Sequence, residues 1–249
     1  MSSMKTALLL LGCLLAVPAA GAEPVPVELH QQLSLPADST ERVVALTLDA
    51  CGGGFDETLA HFLIAHRVEA TVFATRRWLR LNPEGLALLI SLPDLFDIED
   101  HGANHVPAIV GADRNIYGLA GAADLKQVKR EVSGGADAVK AATGTAPHWY
   151  RGATGEYDPE ALEAIEAMGY QVAGFSVNAD DGATLPKKQI VARLKKVKSG
   201  DIIIAHFNKP ESDTGKGMAE GLQLLIEQGF RFVKLKGAEV HAVPKVQKH

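Results

Sequence analysis

The sequence predicts an α/β fold, parallel strands covered by helices, on three observations. Strand-like apolar runs and helix-period segments alternate about seven times along the chain. No composition break between them is wide enough to be a linker. Strand after strand runs into polar residues at its C-terminal end, the edge at which parallel α/β folds bind their ligands. This pattern admits a barrel and an open doubly wound sheet equally.

The elements follow in order. Residues 23–41 are Pro-rich and unpatterned, a lead-in arm. Val43–Leu48 is an apolar, β-branched run that reads as a buried strand, and Asp56–Arg67 has apolar residues at helical spacing. Ala70–Ala74 is strand-like; Pro83–Leu92 is helical, with Pro83 in its first turn, where a missing N–H costs little. Leu95–Glu99 is a short strand, and Ala123–Thr143 a long helix expected to break at Gly134-Gly135. His148–Arg151 is a strand, and Pro159–Met168 a helix with Asp158 as cap and Gly169 as stop. Tyr170–Val177 is a strand, Lys187–Lys198 a basic amphipathic helix with a solvated face, and Asp201–His206 a strand. Met218–Gln228 is a helix closed by Gly229, and Phe230–Leu235 is the last strand. The domain so delimited runs from 42 to 240, with 241–249 as a tail.

The chain has 249 residues, 47% hydrophobic and 22% charged. That balance excludes a disordered protein, a collagen-like repeat and a disulfide-stapled miniprotein. A formal charge of -5 argues against nucleic-acid binding, which needs a basic face. Lys5, the apolar run Ala7–Val17 and the small residues Ala20-Gly21-Ala22 have the order of a secretory signal peptide, cleaved after Ala22. The apolar run is too short to span a bilayer, and no later segment approaches the ~20 apolar residues a span needs. The mature chain would be periplasmic or secreted, 227 residues at -6, because residues 1–22 carry Lys5 and no acid. It would also hold Cys51 as its single thiol, with no internal disulfide possible.

The polar strand ends carry the chemistry. Val43–Leu48 runs into Asp49-Ala50-Cys51 and a run of three glycines, Gly52 to Gly54. Those glycines lack the Lys-Ser/Thr of a phosphate loop. Asp49 is a carboxylate after an apolar strand and needs a partner: a cap, a salt bridge to Arg151, or duty as a general base or metal ligand. His101-Gly-Ala-Asn-His105 puts two imidazoles at i and i+4, one turn apart if the stretch is helical, so that both can face one metal ion. His206 ends an apolar strand. A lone His there is commonly a satisfied core residue; with Asp181 available to hold its tautomer it becomes a credible acid. Trp78, Trp149 and Tyr117 are rings that can stack on sugars, with one Trp expected in the core.

Taken together, Val-Ala-Leu-Thr-Leu-Asp49, His101-x-x-x-His105, Tyr-Arg151-Gly-Ala-Thr-Gly155, Ser-Val-Asn178-Ala-Asp-Asp181 and Ile-Ala-His206 resemble the polysaccharide deacetylase family, which includes chitin and peptidoglycan N-deacetylases. The resemblance runs from about residue 43 to residue 235. It implies a distorted (β/α) barrel with about seven parallel strands, a divalent metal (zinc above all) and removal of acetyl groups from an N- or O-acetylated polysaccharide or cell-wall glycan. It implies Asp49 as base, His101 and His105 as metal ligands, and Arg151 as the residue orienting the base. It further implies His206 as acid, Asp181 as the carboxylate tuning it, and a backbone N–H of the Arg151–Gly155 loop holding the oxyanion. No protein partner and no transmembrane segment are implied.

The family usually carries a second Asp directly after the base as the third metal ligand, and here that position is Ala50. Asp49 itself, a Cys51 thiolate or Asp100 are the replacements available, and Asp49, bridging metal and water, is the favoured one. The arginine loop lacks the family's prolines, and Asn178 and Gly182 stand where it has Asp and Trp. Two other readings compete: a non-catalytic glycan-binding member, with Ala50 marking a lost metal, and an amidase acting on a small non-peptide C–N bond.

Overall fold

A computed structural model of the chain describes residues 25–244, so the expected signal peptide, residues 1–22, lies outside the described residues. Eight strands make the main sheet: β1 Arg42–Ala50, β2 Ala70–Ala74, β3 Phe96–Asp100, β4 Trp149–Tyr150, β5 Gln171–Val172, β6 Val177–Asn178, β7 Ile202–His206 and β8 Phe230–Val233. Their order is β5-β4-β3-β2-β1-β7-β6, with β8 paired to the first half of β1, and every pairing is parallel. The seven strands of the continuous path curl into a half-barrel, the architecture that the resemblance implies. Among the described residues seven helices accompany them: α1 Glu57–Ala65, α2 Arg76–Leu81, α3 Pro83–Ile90, α4 Leu125–Thr143, α5 Pro159–Glu166, α6 Lys187–Leu194 and α7 Thr214–Glu227. Among the described residues no helix is long and apolar enough to cross a membrane.

β1 is buried along almost its whole length, which is why its sequence reads as a continuous apolar run. Period-two alternation divides it between two cores. Val44, Leu46, Leu48 and Ala50 face the cluster that also takes the buried residues of α1, α2, α6 and α7. Val43 and Ala45 face the inner cluster with Phe73, Trp149, Ile202 and Ile204.

Four expectations need correction. The long helix α4 is unbroken through Gly134-Gly135. A Cβ at Gly135 would lie 2.0 Å from Asp100 Oδ1 and 2.6 Å from the Gly102 carbonyl carbon, so packing against the end of β3, not a helix break, requires glycine there. The strand expected over Tyr170–Val177 is two short ones, β5 and β6. Its middle pairs instead with the N-terminal arm: Phe175 N–H donates to Leu29 O and Gln31 N–H to Phe175 O. At Gly174 a Cβ would sit 2.3 Å from Leu29 O, so only glycine lets the arm come this close.

The arm is accordingly structured. Val27–Glu28 runs antiparallel to Ala153–Tyr157, and Gln31–Leu33 pairs antiparallel with Val240–Ala242, tying the arm to the start of the C-terminal tail. Strands of two or three residues are too short to leave a periodic signal in the sequence. Helix α2 had no expectation at all; Thr75 caps it by accepting from Trp78 N–H. Asp158 sits at the N-cap position of α5, but its carboxylate makes no cap bond; it accepts from Val110 N–H and pairs with Arg114.

Candidate active site

The register of the sheet assembles the site. Ala50 of β1 is opposite Ala74, Ala74 is opposite Asp100, and Asp100 is opposite Tyr150, so four strands end level. The next residues, Cys51, His101 and Arg151, therefore emerge at one edge. On the other flank of β1, Asp49 and His206 are direct register partners. Asp49, Cys51, His101, His105 and His206 line one cavity of about 600 Å³, with Glu28 from the arm and Tyr117, Asn178 and Asp181 on its walls.

Arg151 is fully buried beneath this edge. Its guanidinium donates to Asp49 Oδ1 at 2.9 Å, Thr47 Oγ1 at 2.8 Å and the carbonyls of Ala173 and Gly174, and it lies 4.4 Å above the Phe73 ring. Burial pushes the Asp49 pKa up, but Arg151, with His101 and His206, outweighs it and holds the carboxyl below the usual range. Asp49 is an ionised carboxylate with one oxygen tied to Arg151 and the other 3.8 Å from His101 Nε2.

The two histidines of the sequence motif do converge, with ring centroids 5.0 Å apart, but not on a helix. Residues 101–105 form an irregular loop, and His105 has a left-handed φ of 64°. His101 Nδ1 lies 2.6 Å from the Arg151 carbonyl, which can only accept, so Nδ1 carries the proton and Nε2 turns to the cavity.

A third group that could hold a metal ion lies beside the two histidines, the Cys51 thiol. Cys51, His101 and His105 each offer a ligand atom within 4.8 Å of one another, and Cys51 Sγ is 3.3 Å from His101 Nε2. Asp49 is outside that group. Asp100 is outside it too: its Oδ1 lies against Gly135 of α4 and accepts from Gly102 N–H, and burial carries its pKa well above the usual value. Ala50 belongs to the outer apolar cluster, facing away from the site. Burial raises the Cys51 pKa, but His101, aided by hydrogen bonds from His101, His105 and His206, lowers it well below that of an ordinary thiol. In the same pairing the His101 pKa, depressed by burial, is lifted by Asp49 and Cys51 to about 9. A soft thiolate and two imidazoles is a donor set that suits zinc.

The carboxylate that holds His206 is Asp180, one residue before the Asp181 expected. Asp180 Oδ1 is 3.0 Å from His206 Nδ1, and Oδ2 accepts from His206 N–H at 2.8 Å and from the Thr214 hydroxyl at 3.0 Å. Burial lowers the His206 pKa, yet Asp180, with Cys51 assisting, raises it well above an ordinary imidazole's. Asp181 instead sits in a turn at φ 53°, its N–H bonded to Asn178 Oδ1. The register accounts for the difference: Asn178 is opposite Ile204, so two residues on, Asp180 comes level with His206.

In the Arg151–Gly155 loop the amide of Arg151 donates to Asp100 O, that of Gly152 to the Tyr157 hydroxyl and that of Gly155 to Gly152 O. Those three are spent within the fold and do not serve an oxyanion. Both tryptophans are core residues, and Trp78 Nε1 donates to Gly54 O; Tyr117, 77% exposed, is the ring left at the cavity.

The fold and these strand ends define an α/β half-barrel whose polar residues gather at the C-terminal edge of its parallel strands. The sequence model of the polysaccharide deacetylase family matches residues 37–173, and the chain belongs to that family. No curated protein matches it. Among solved structures it is similar to the peptidoglycan deacetylase PdaC from Bacillus subtilis (22% identity, TM-score 0.64, 81% of this chain and 91% of that one). It is also similar to a family 4 carbohydrate esterase from Streptomyces lividans in complex with acetate (20%, 0.63, 78% and 93%). A third is a CE4 family pseudoenzyme from Bacillus anthracis (20%, 0.62); this chain covers 65% of its length.

Proposed function

We propose that this protein is an exported, zinc-dependent hydrolase that removes acetyl groups from an N- or O-acetylated cell-wall glycan. The observation that carries this reading is the convergence, in one cavity, of a Cys51–His101–His105 donor set, an ionised Asp49 and a His206 held by Asp180. Cys51, His101 and His105 would hold the metal, which when bound polarises the acetyl carbonyl and lowers the pKa of water. Asp49 is kept anionic by Arg151 and takes the proton of the attacking water. His206, its Nδ1 bound to Asp180, presents Nε2 to the cavity and protonates the leaving amine or alkoxide. The cavity volume falls in the range of small-ligand sites, enough for a sugar residue and its acetyl group.

Two observations favour the contrasting reading of a glycan-binding, non-catalytic member: the metal set departs from the family's usual acid, and one similar structure is a pseudoenzyme. The deciding experiment measures bound metal and acetate release from N-acetylated and O-acetylated oligosaccharides. Purified wild-type protein is expected to hold zinc and release acetate; Cys51→Ser is expected to lose roughly tenfold or more in zinc affinity. Glycan binding without bound zinc or acetate release overturns the hydrolase reading. Acetate release from small amides alone moves the protein to the amidases.

A further inference from the structure

Glu131 is a buried carboxylate on α4 for which the proposed chemistry has no use. It points at the metal-ligand loop. Glu131 Oε1 accepts from Asn104 N–H at 2.6 Å and from Val106 N–H at 3.2 Å, and Oε2 lies 3.4 Å from Asn104 Nδ2. These two backbone amides are the ones immediately before and after that of His105, the residue with the left-handed φ. A side chain that holds both restrains the φ and ψ of Asn104 and His105, the torsions that lie between these two amides. Left alone, a histidine would relax to the right-handed or extended region. The loop is otherwise shaped around this carboxylate: a Cβ at Gly102, φ 85°, would lie 2.6 Å from Glu131 Oε1, and Ala103 N–H donates to the Glu131 carbonyl.

We propose that Glu131 is a positioning residue, holding His105 in its strained conformation so that its ring meets Cys51 and His101. The proposal rests on the metal reading above. Residues around metal ligands commonly change affinity by roughly 10- to 100-fold when removed, and that is the effect expected here.

The test compares Glu131→Leu, which removes the acceptor at similar volume, with Glu131→Gln, which keeps one acceptor oxygen for both amides. Glu131→Asp, too short to reach both amides, serves if the leucine variant fails to fold. Zinc affinity is measured by competition with a chromophoric chelator, and amide hydrogen exchange at Asn104 and Val106 on the metal-free protein. Leu or Asp should weaken zinc roughly 10- to 100-fold and speed exchange at both amides, while Gln stays near wild type. Val139→Ala, a core change on the same helix, should lower stability but leave zinc affinity intact. Folded Leu or Asp variants with wild-type zinc affinity overturn the proposal, as does equal zinc loss in Val139→Ala. If Cys51→Ser also leaves zinc affinity unchanged, the metal reading itself has failed, whatever the exchange data at Asn104 and Val106 report about the loop.

Discussion

Replacing Ala50 by Asp supplies the carboxylate that the family usually carries after its base, and the structure predicts that the change damages the protein instead of completing its metal site. Ala50 is 0% exposed and lies in the outer apolar cluster. An isolated buried carboxyl is driven up by about three to five pKa units, so it is carried neutral at pH 7, at a cost of about 4 kcal/mol. Forcing the extra atoms into a packed cluster adds about 1–3 kcal/mol. Together these amount to about 5–7 kcal/mol, a large share of the 5–15 kcal/mol typical of a domain. At about 2–4 °C per kcal/mol for a chain of this size, the melting temperature should fall by about 10–28 °C. Urea denaturation and thermal melts measure the loss, and chelator competition measures zinc. Cys51→Asp, on the half-buried residue that reaches His101, should stay folded and retain a metal site. An Ala50→Asp protein melting within a few degrees of wild type and binding zinc more tightly would refute the assignment of faces along β1.

Asp180→Asn should lower the turnover of acetate release by about 10²- to 10⁴-fold with zinc retained, whereas Asp181→Asn should stay near wild type; equal losses would remove Asp180 from its role. Gly135→Ala gains helix propensity of about 1 kcal/mol, but its Cβ meets Asp100 and the Gly102 backbone, so a net loss of about 2 kcal/mol and weaker zinc binding are expected; a stabilised variant contradicts the packing argument. Glu99 has its pKa pushed up to about 7 by burial, partly offset by the N–H groups of Trp149 and His148. The folded state then binds the proton more tightly than the unfolded one, so this carboxyl favours the fold most below about pH 4.5. That contribution fades as pH rises toward 7 and is gone above it, a swing of about 3 kcal/mol. Glu99→Gln should match wild type in urea at pH 4 and be more stable at pH 8; no pH dependence in the difference would refute it.

The strand runs and most helices were legible because burial leaves a periodic mark: Val43–Leu48 and Asp201–His206 are apolar on both faces and appear as β1 and β7. The short arm strands were not, since two or three edge residues carry no period. Gly134-Gly135 misled because local propensity disfavours glycine in a helix, while the deciding contact comes from Gly102 and Asp100, distant in sequence.

The sequence by itself determined the fold class, the family and the edge of the sheet at which the chemistry gathers, since local composition and strand ends carry that information. Only the tertiary structure decided which atoms meet there. Cys51 comes within reach of His101 and His105 because β1 alternates through Ala50, which faces the outer cluster, and returns Cys51 to the cavity face that Asp49 also occupies. Asp180 and not Asp181 holds His206 because the β6–β7 register brings it level. Register and facing are relations between strands, so a shift of one residue leaves the sequence pattern intact while changing which side chain meets its partner.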